Sequence, residues 1–171
     1  MSRNSKFFDP LLLASLLFVS GLTGCSLTSS TTIQYDNPAL SEKSCTLNIA
    51  GSFTVRKFDS QNVEWKAGFG VAWAKVQIPE GKHTFVFDYQ YSHSGGYFFE
   101  EGLSIAYDRF TAEHTYVLTA EPTPTGTKGL AIRVGVKDVT NEPDWAEFSF
   151  SNVFTWTQGF EWLPITRGKQ P

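Results

Sequence analysis

Three histidines, two cysteines and a scatter of carboxylates are the residues of this 171-residue chain whose types could do chemistry. His83 and His114 each follow a turn-like stretch and precede a threonine and an aromatic residue, so two imidazoles could converge for acid–base work or metal binding. No HExxH sequence and no closely spaced His–carboxylate set accompanies them. The reading taken is that each opens a strand in a repeated hairpin design. His93 lies in "YSHSGGYFFEE", between Ser92 and Ser94. A nucleophilic serine needs a base and an orienting acid gathered around it, and the G-x-S-x-G elbow is absent. This stretch therefore reads as a surface loop, with Gly95 and Gly96 supplying backbone freedom. Glu100, Glu101 and Asp108 raise glycoside hydrolysis, which needs two carboxyl groups across a cleft. Neighbours in a strand point to opposite faces, so Glu100 and Glu101 cannot be that pair. "GFGVAW" lacks the third glycine and the following helix of a phosphate-binding loop. No catalytic residue, no metal ligand and no cofactor is expected, and the protein is not expected to be an enzyme.

The cysteines differ in setting. Cys45 alternates with polar neighbours in "SCTLNIA" and reads as a small buried apolar residue. Cys25 ends a segment in which Arg3 and Lys6 precede an apolar run from Leu11 to Val19, followed by small or polar residues. That layout is the basic start, short apolar middle and cleavage region of a secretory signal peptide. A membrane-spanning helix needs about 20 apolar residues, more than this run contains. The residues alone leave Cys25 as half of a disulfide with Cys45, a reactive thiol, or a point of attachment.

Leu22-Thr23-Gly24-Cys25 resembles the lipobox of bacterial lipoproteins: an aliphatic residue, a small residue, Gly or Ala, then cysteine. The resemblance implies that signal peptidase II cuts between Gly24 and Cys25 and that a diacylglyceryl group is attached to the Cys25 sulfur. A thioether sulfur would not pair with Cys45. Two acyl chains hold a protein on a bilayer durably, whereas one does so only marginally. Ser26, in place of the Asp that retains related lipoproteins at the inner membrane, favours the outer membrane on the same resemblance. The expected organisation is a signal peptide over 1–24, a lipidated cysteine with a Ser/Thr-rich tether over 25–41, a folded domain over 42–165 and a frayed tail over 166–171. Within the tether, an edge strand around Ile33 and Tyr35 is the alternative.

Loss of residues 1–24 removes Arg3, Lys6 and Asp9, taking the formal charge from −3 to −4, with 12 basic against 16 acidic residues. A mildly acidic chain without a basic run lacks the footprint of a nucleic-acid binder. The expected partners are the membrane, through the lipid on Cys25, and an envelope protein or glycan.

Positioning falls to strands, because from Glu42 onward the apolar period is two. Cys45, Leu47 and Ile49 form one face, continued by Phe53 and Val55. Residues 58–63 read as a hairpin turn, Val71 to Ile78 as a strand, and Phe85, Phe87, Tyr89 and Tyr91 as one face of the next. Leu103, Ile105 and Tyr107 form a short strand, "HTYVLTA" another, and Leu130, Ile132, Val134 and Val136 alternate cleanly, while "EPTPTGTKG" reads as an irregular loop. No window carries a capped helical period. The fold expected is all-β, a single antiparallel β-sandwich or barrel-like domain. The turn "PEGKH" at 79–83 resembles the P-x-G-x-H turn of small PEGA-like β-sandwich lipoproteins over roughly residues 44–120, and "AEHTYVL" echoes it.

Aromatic residues make up 15% of the chain, with five Trp, and they crowd the segment from Asn141. There Phe148, Phe150, Phe154 and Trp156 share one parity. Trp145, Trp156 and Trp162, if exposed, would give a stacking face for a glycan or a protein. The favoured alternative is that they fill the core.

Overall fold

The computed structural model describes residues 30–33, 43–67, 73–93, 96–125, 129–142 and 159–168. Cys25, the span 1–24 read as a signal peptide, Trp145, Trp156 and the parity-matched phenylalanines 148, 150 and 154 lie outside the described residues. The described chain contains no helix and runs as β1 (Ser30–Ile33), β2 (Ser44–Ala50), β3 (Phe53–Phe58), β4 (Gln61–Lys66), β5 (Trp73–Pro79), β6 (Gly81–His93), β7 (Gly96–Phe110), β8 (Thr115–Thr125), β9 (Gly129–Asp138), β10 (Glu161–Leu163) and β11 (Thr166–Arg167). A six-stranded sheet in the order β1-β5-β2-β8-β9-β10 and a five-stranded sheet in the order β11-β7-β6-β3-β4 form an all-β sandwich. Pairing is antiparallel except for β1 on β5 and β2 on β8.

Alternation builds the core. Cys45, Leu47 and Ile49 from β2, Phe85, Phe87 and Tyr89 from β6, and Val134 and Val136 from β9 are all buried in one cluster. Burying side chains of this size contributes about 1.5–3 kcal/mol each, which opposes the entropy of ordering the strands. Three register shifts reset the alternation, one of them at the far end of β6–β7, where Asp108 and Arg109 are both exposed between the buried Tyr107 and Phe110. The register of β3 slips between Val55 and Lys57, leaving Arg56 and Lys57 both exposed and turning Phe58 inward. On β7, Glu101 and Gly102 together oppose Asp88, with Gly102 at φ 66°. That φ is cheap only for glycine, and the Gly102 amide donates to the buried Asp88 carboxylate at 3.1 Å. Asp88 also accepts from Arg56 Nε at 2.7 Å, so its buried charge is paired.

The structure departs from the alternation-based expectation at four places. "YSHSGG" is not a loop throughout: β6 runs to His93 and pairs Tyr91 with Phe98 and Ser92 with Tyr97, because β-favouring aromatics on both arms extend the hairpin. The prolines of "EPTPTGTKG" do not end β8, which pairs Pro122 with Ile132 and Pro124 with Leu130. Beyond Leu118 that strand has lost β2 as a neighbour, and among the described residues no other strand pairs with that side of it. Residues two apart turn their backbone nitrogens to the same side, so both prolines can face that side. Ser30–Ile33, within the span read as a tether, forms β1 alongside β5, the edge-strand alternative. Thr166–Arg167, within the span read as frayed, forms β11 on β7, with Arg167 Nε 2.5 Å from Glu100 Oε1. The chain passes from β10 in one sheet to β11 in the other through Pro164 and Ile165, joining the two sheet edges.

Candidate functional site

The two echoing histidines come to the same end of the sandwich and are not together. His83 lies near the start of β6, opposite Tyr107 of β7, and its buried ring lies against Phe58 at 4.7 Å and Phe110 at 6.0 Å between centroids. Its Nδ1 is 3.0 Å from Asp59 Oδ2 and its Nε2 is 3.0 Å from the Pro79 carbonyl. Asp59 occupies the tight β3–β4 turn at φ 53° and accepts the Thr84 amide on its other oxygen at 2.9 Å. Aspartate tolerates that left-handed turn position, so the carboxylate ties the hairpin to the start of β6.

His114 repeats the plan on the other sheet. Its Nδ1 is 2.6 Å from Asp138 Oδ2, while the Thr115 amide donates to Thr140 Oγ1 at 3.0 Å. The Thr140 hydroxyl in turn donates to Asp138 Oδ1 at 2.5 Å. Burial pushes the Asp138 carboxyl up, but hydrogen bonds from Thr140 and His114 outweigh it and hold the group below its ordinary value. Between the two imidazoles lie Phe110 and Tyr116, edge to face at 4.9 Å, with His114 stacked on Tyr116 at 6.2 Å. Each copy of the echo therefore fastens a strand start to a neighbouring turn. Among the described residues no three His, Cys, Asp or Glu side chains gather where they could hold a metal.

The other candidates are also placed in structural contacts. Glu100 pairs with Arg167, while Glu101 is exposed on the bulge. Asp108 and Glu161 both approach Arg109, whose guanidinium lies 5.5 Å over the Tyr107 ring. The β6 backbone carries His93 into the hairpin opposite Gly96. Cys45 is a free, buried thiol that burial pushes up to about 12, the opposite of an activated nucleophile.

Trp162 is neither in the main core nor an open platform. It lies on the outer face of the six-stranded sheet, packed with Phe160 against Val117 and Val139. Its ring rests over Gly135, where an added Cβ would meet it at 3.0 Å, and the Arg133 guanidinium sits 4.2 Å from its centroid. The stacking surface on that side is occupied by Arg133, itself paired with Glu121.

Among the described residues the exposed large aromatics are Tyr97 at 65% and Phe99 at 46%, two residues absent from the sequence-based candidates. They stand side by side on the outer face of β7, their rings stacked at 6.4 Å and 18°. The Tyr97 hydroxyl donates to Gln90 Oε1 at 3.3 Å. Pairing of Ser92 with Tyr97 and of Gln90 with Phe99 fixes that face, and a loop reading of "SHSGG" removes the register that shows it. No known family, curated protein or solved structure matches the chain.

Proposed function

We propose that this chain is a lipid-anchored bacterial cell-envelope lipoprotein, with diacylglycerol on Cys25 and the outer membrane as the favoured site. Its all-β domain acts as a non-enzymatic binding or structural module. The observation that carries the reading is Leu22-Thr23-Gly24-Cys25 at the close of a short apolar run behind Arg3 and Lys6. The commitment of His83, His114 and Asp138 to strand-to-turn fastening supports a role without bond-breaking chemistry. Cells fed a labelled fatty acid are expected to label the wild-type protein and not Cys25→Ser. Equal labelling of both would refute the anchor.

A further inference from the structure

The start of β1 lies at the same end of the sandwich as the tip of the β6–β7 hairpin. Ser30 pairs with Trp73, and Trp73 pairs with Ala50 at the end of β2. Ala50 leads through Gly51 and Ser52 into β3, and the Ser52 carbonyl accepts the Gln90 amide at 2.9 Å. From Gln90 the hairpin continues outward to His93, so at about 3.3 Å per residue it rises roughly 10 Å beyond that turn. Cys25 precedes Ser30 by five positions, a length of chain that spans at most about 18 Å. An anchor on Cys25 therefore holds this end of the domain, and not the histidine end, against the bilayer. It does so at a reach comparable with the height of the hairpin.

We infer that Tyr97 and Phe99 form a second contact with the membrane, entering the headgroup region of the leaflet that carries the Cys25 lipid. The inference rests on the lipid-anchor reading. Aromatic side chains with an apolar body and, for tyrosine, a polar tip are the residues that settle at a bilayer–water interface. Tyr97 and Phe99 are the large apolar side chains that the described residues leave exposed, and they are on the element that rises toward the anchor's plane. The charges nearby favour a zwitterionic surface over an anionic one. Glu100 is neutralised by Arg167 and Glu121 by Arg133, while Glu101 remains exposed. Such a contact would limit rotation of the domain about its anchor and present the His83–His114 end to the compartment beyond.

The test uses the full, lipidated protein in phosphatidylcholine vesicles containing lipids spin-labelled near the headgroup. An environment-sensitive fluorophore is attached through Ser92→Cys, which pairs with Tyr97 and leaves both aromatics intact, or through Ser60→Cys in the β3–β4 turn at the far end. Buried Cys45 does not compete for the reagent in the native protein. The expected result is a blue shift and loss of most emission at position 92, no change at position 60, and reversal of the position-92 effect in Tyr97→Ser/Phe99→Ser. If position 92 remains water-like while the protein stays with the vesicles, the hairpin contact is overturned and the anchor stands. A protein that takes up no labelled fatty acid and leaves the vesicles overturns both. Insensitivity to lipid with a response to soluble muropeptides would make the pair a glycan platform and overturn the membrane contact.

Discussion

Replacing each histidine by alanine separates two residues that share a sequence motif but not an environment. His83 is 7% exposed, lies between Phe58 and Phe110, and bridges Asp59 and the Pro79 carbonyl. Its loss removes two hydrogen bonds at about 0.5–1.5 kcal/mol each and strands the Pro79 acceptor. The ring contacts add about 0.5–1.5 kcal/mol. The total for His83→Ala is about 3 kcal/mol, and His83→Phe, which keeps a ring in the slot, should lose about half of that. The His114 side chain is 38% exposed, and its chief polar contact is one hydrogen-bonded pairing with the Asp138 carboxylate, which is 40% exposed. Such a pair is worth less than about 1 kcal/mol. Urea denaturation of the three variants, with the slope held constant as a check on two-state unfolding, measures the differences. Equal costs for His83→Ala and His114→Ala, or a cost for His83→Ala below about 0.5 kcal/mol, would refute the assignment of His83 as a buried fastening.

Two further outcomes follow from Cys45 and Asp138. With its thiol pushed up to about 12, Cys45 is about one part in 10⁴ thiolate at pH 8. The native lipidated protein should give no reaction with a thiol reagent and one equivalent after unfolding in guanidinium, whereas two equivalents would mean an unmodified Cys25. Asp138 is held below its ordinary value, so its contribution is fully present above the unfolded carboxylate range near 3.9 and is lost as pH falls through the lower folded value. Asp138→Asn should lower the melting temperature at neutral pH by the equivalent of about 0.2–1 kcal/mol, with the gap closing in strong acid. A gap independent of pH would show that the carboxylate charge contributes nothing.

Strand identity was readable wherever one face of a strand is buried, since a period of two then appears directly in the residues. Cys45-Leu47-Ile49 and Ile132-Val134-Val136 are the clearest cases, and both lie on the core. The segments that escaped are those in which the deciding interaction is remote. Two- and three-residue strands such as β11 and β10 are too short to show any period and exist because β7 and β9 offer an edge. Pro122 and Pro124 argue against a strand locally, yet are tolerated because β8 outruns β2. Bulges have the same effect on the facing of residues: counting in twos from Val55 sends Phe58 to solvent, and the slip before Lys57 brings it to the core.

The same dependence on register decides which aromatics of β7 face solvent. In "YFFEE" three successive aromatics have equal claim to the core by composition. Once β6 and β7 pair Tyr91 with Phe98, Phe98 goes inward against Tyr89 at 6.3 Å, and the residues on either side must go outward. A one-residue slip would bury Tyr97 and Phe99 and expose Phe98. The bulge at Glu101–Gly102 fixes the choice, because its extra residue restores Leu103 and Ile105 to the core below while setting the opposite phase above it. The fold thus leaves two aromatic rings exposed by a device that requires a glycine at the left-handed Gly102 position and a buried Asp88 to satisfy its amide. Removing the bulge residue would turn the pair inward, so the exposure of Tyr97 and Phe99 follows from how the strand is built and not from a lack of room in the core.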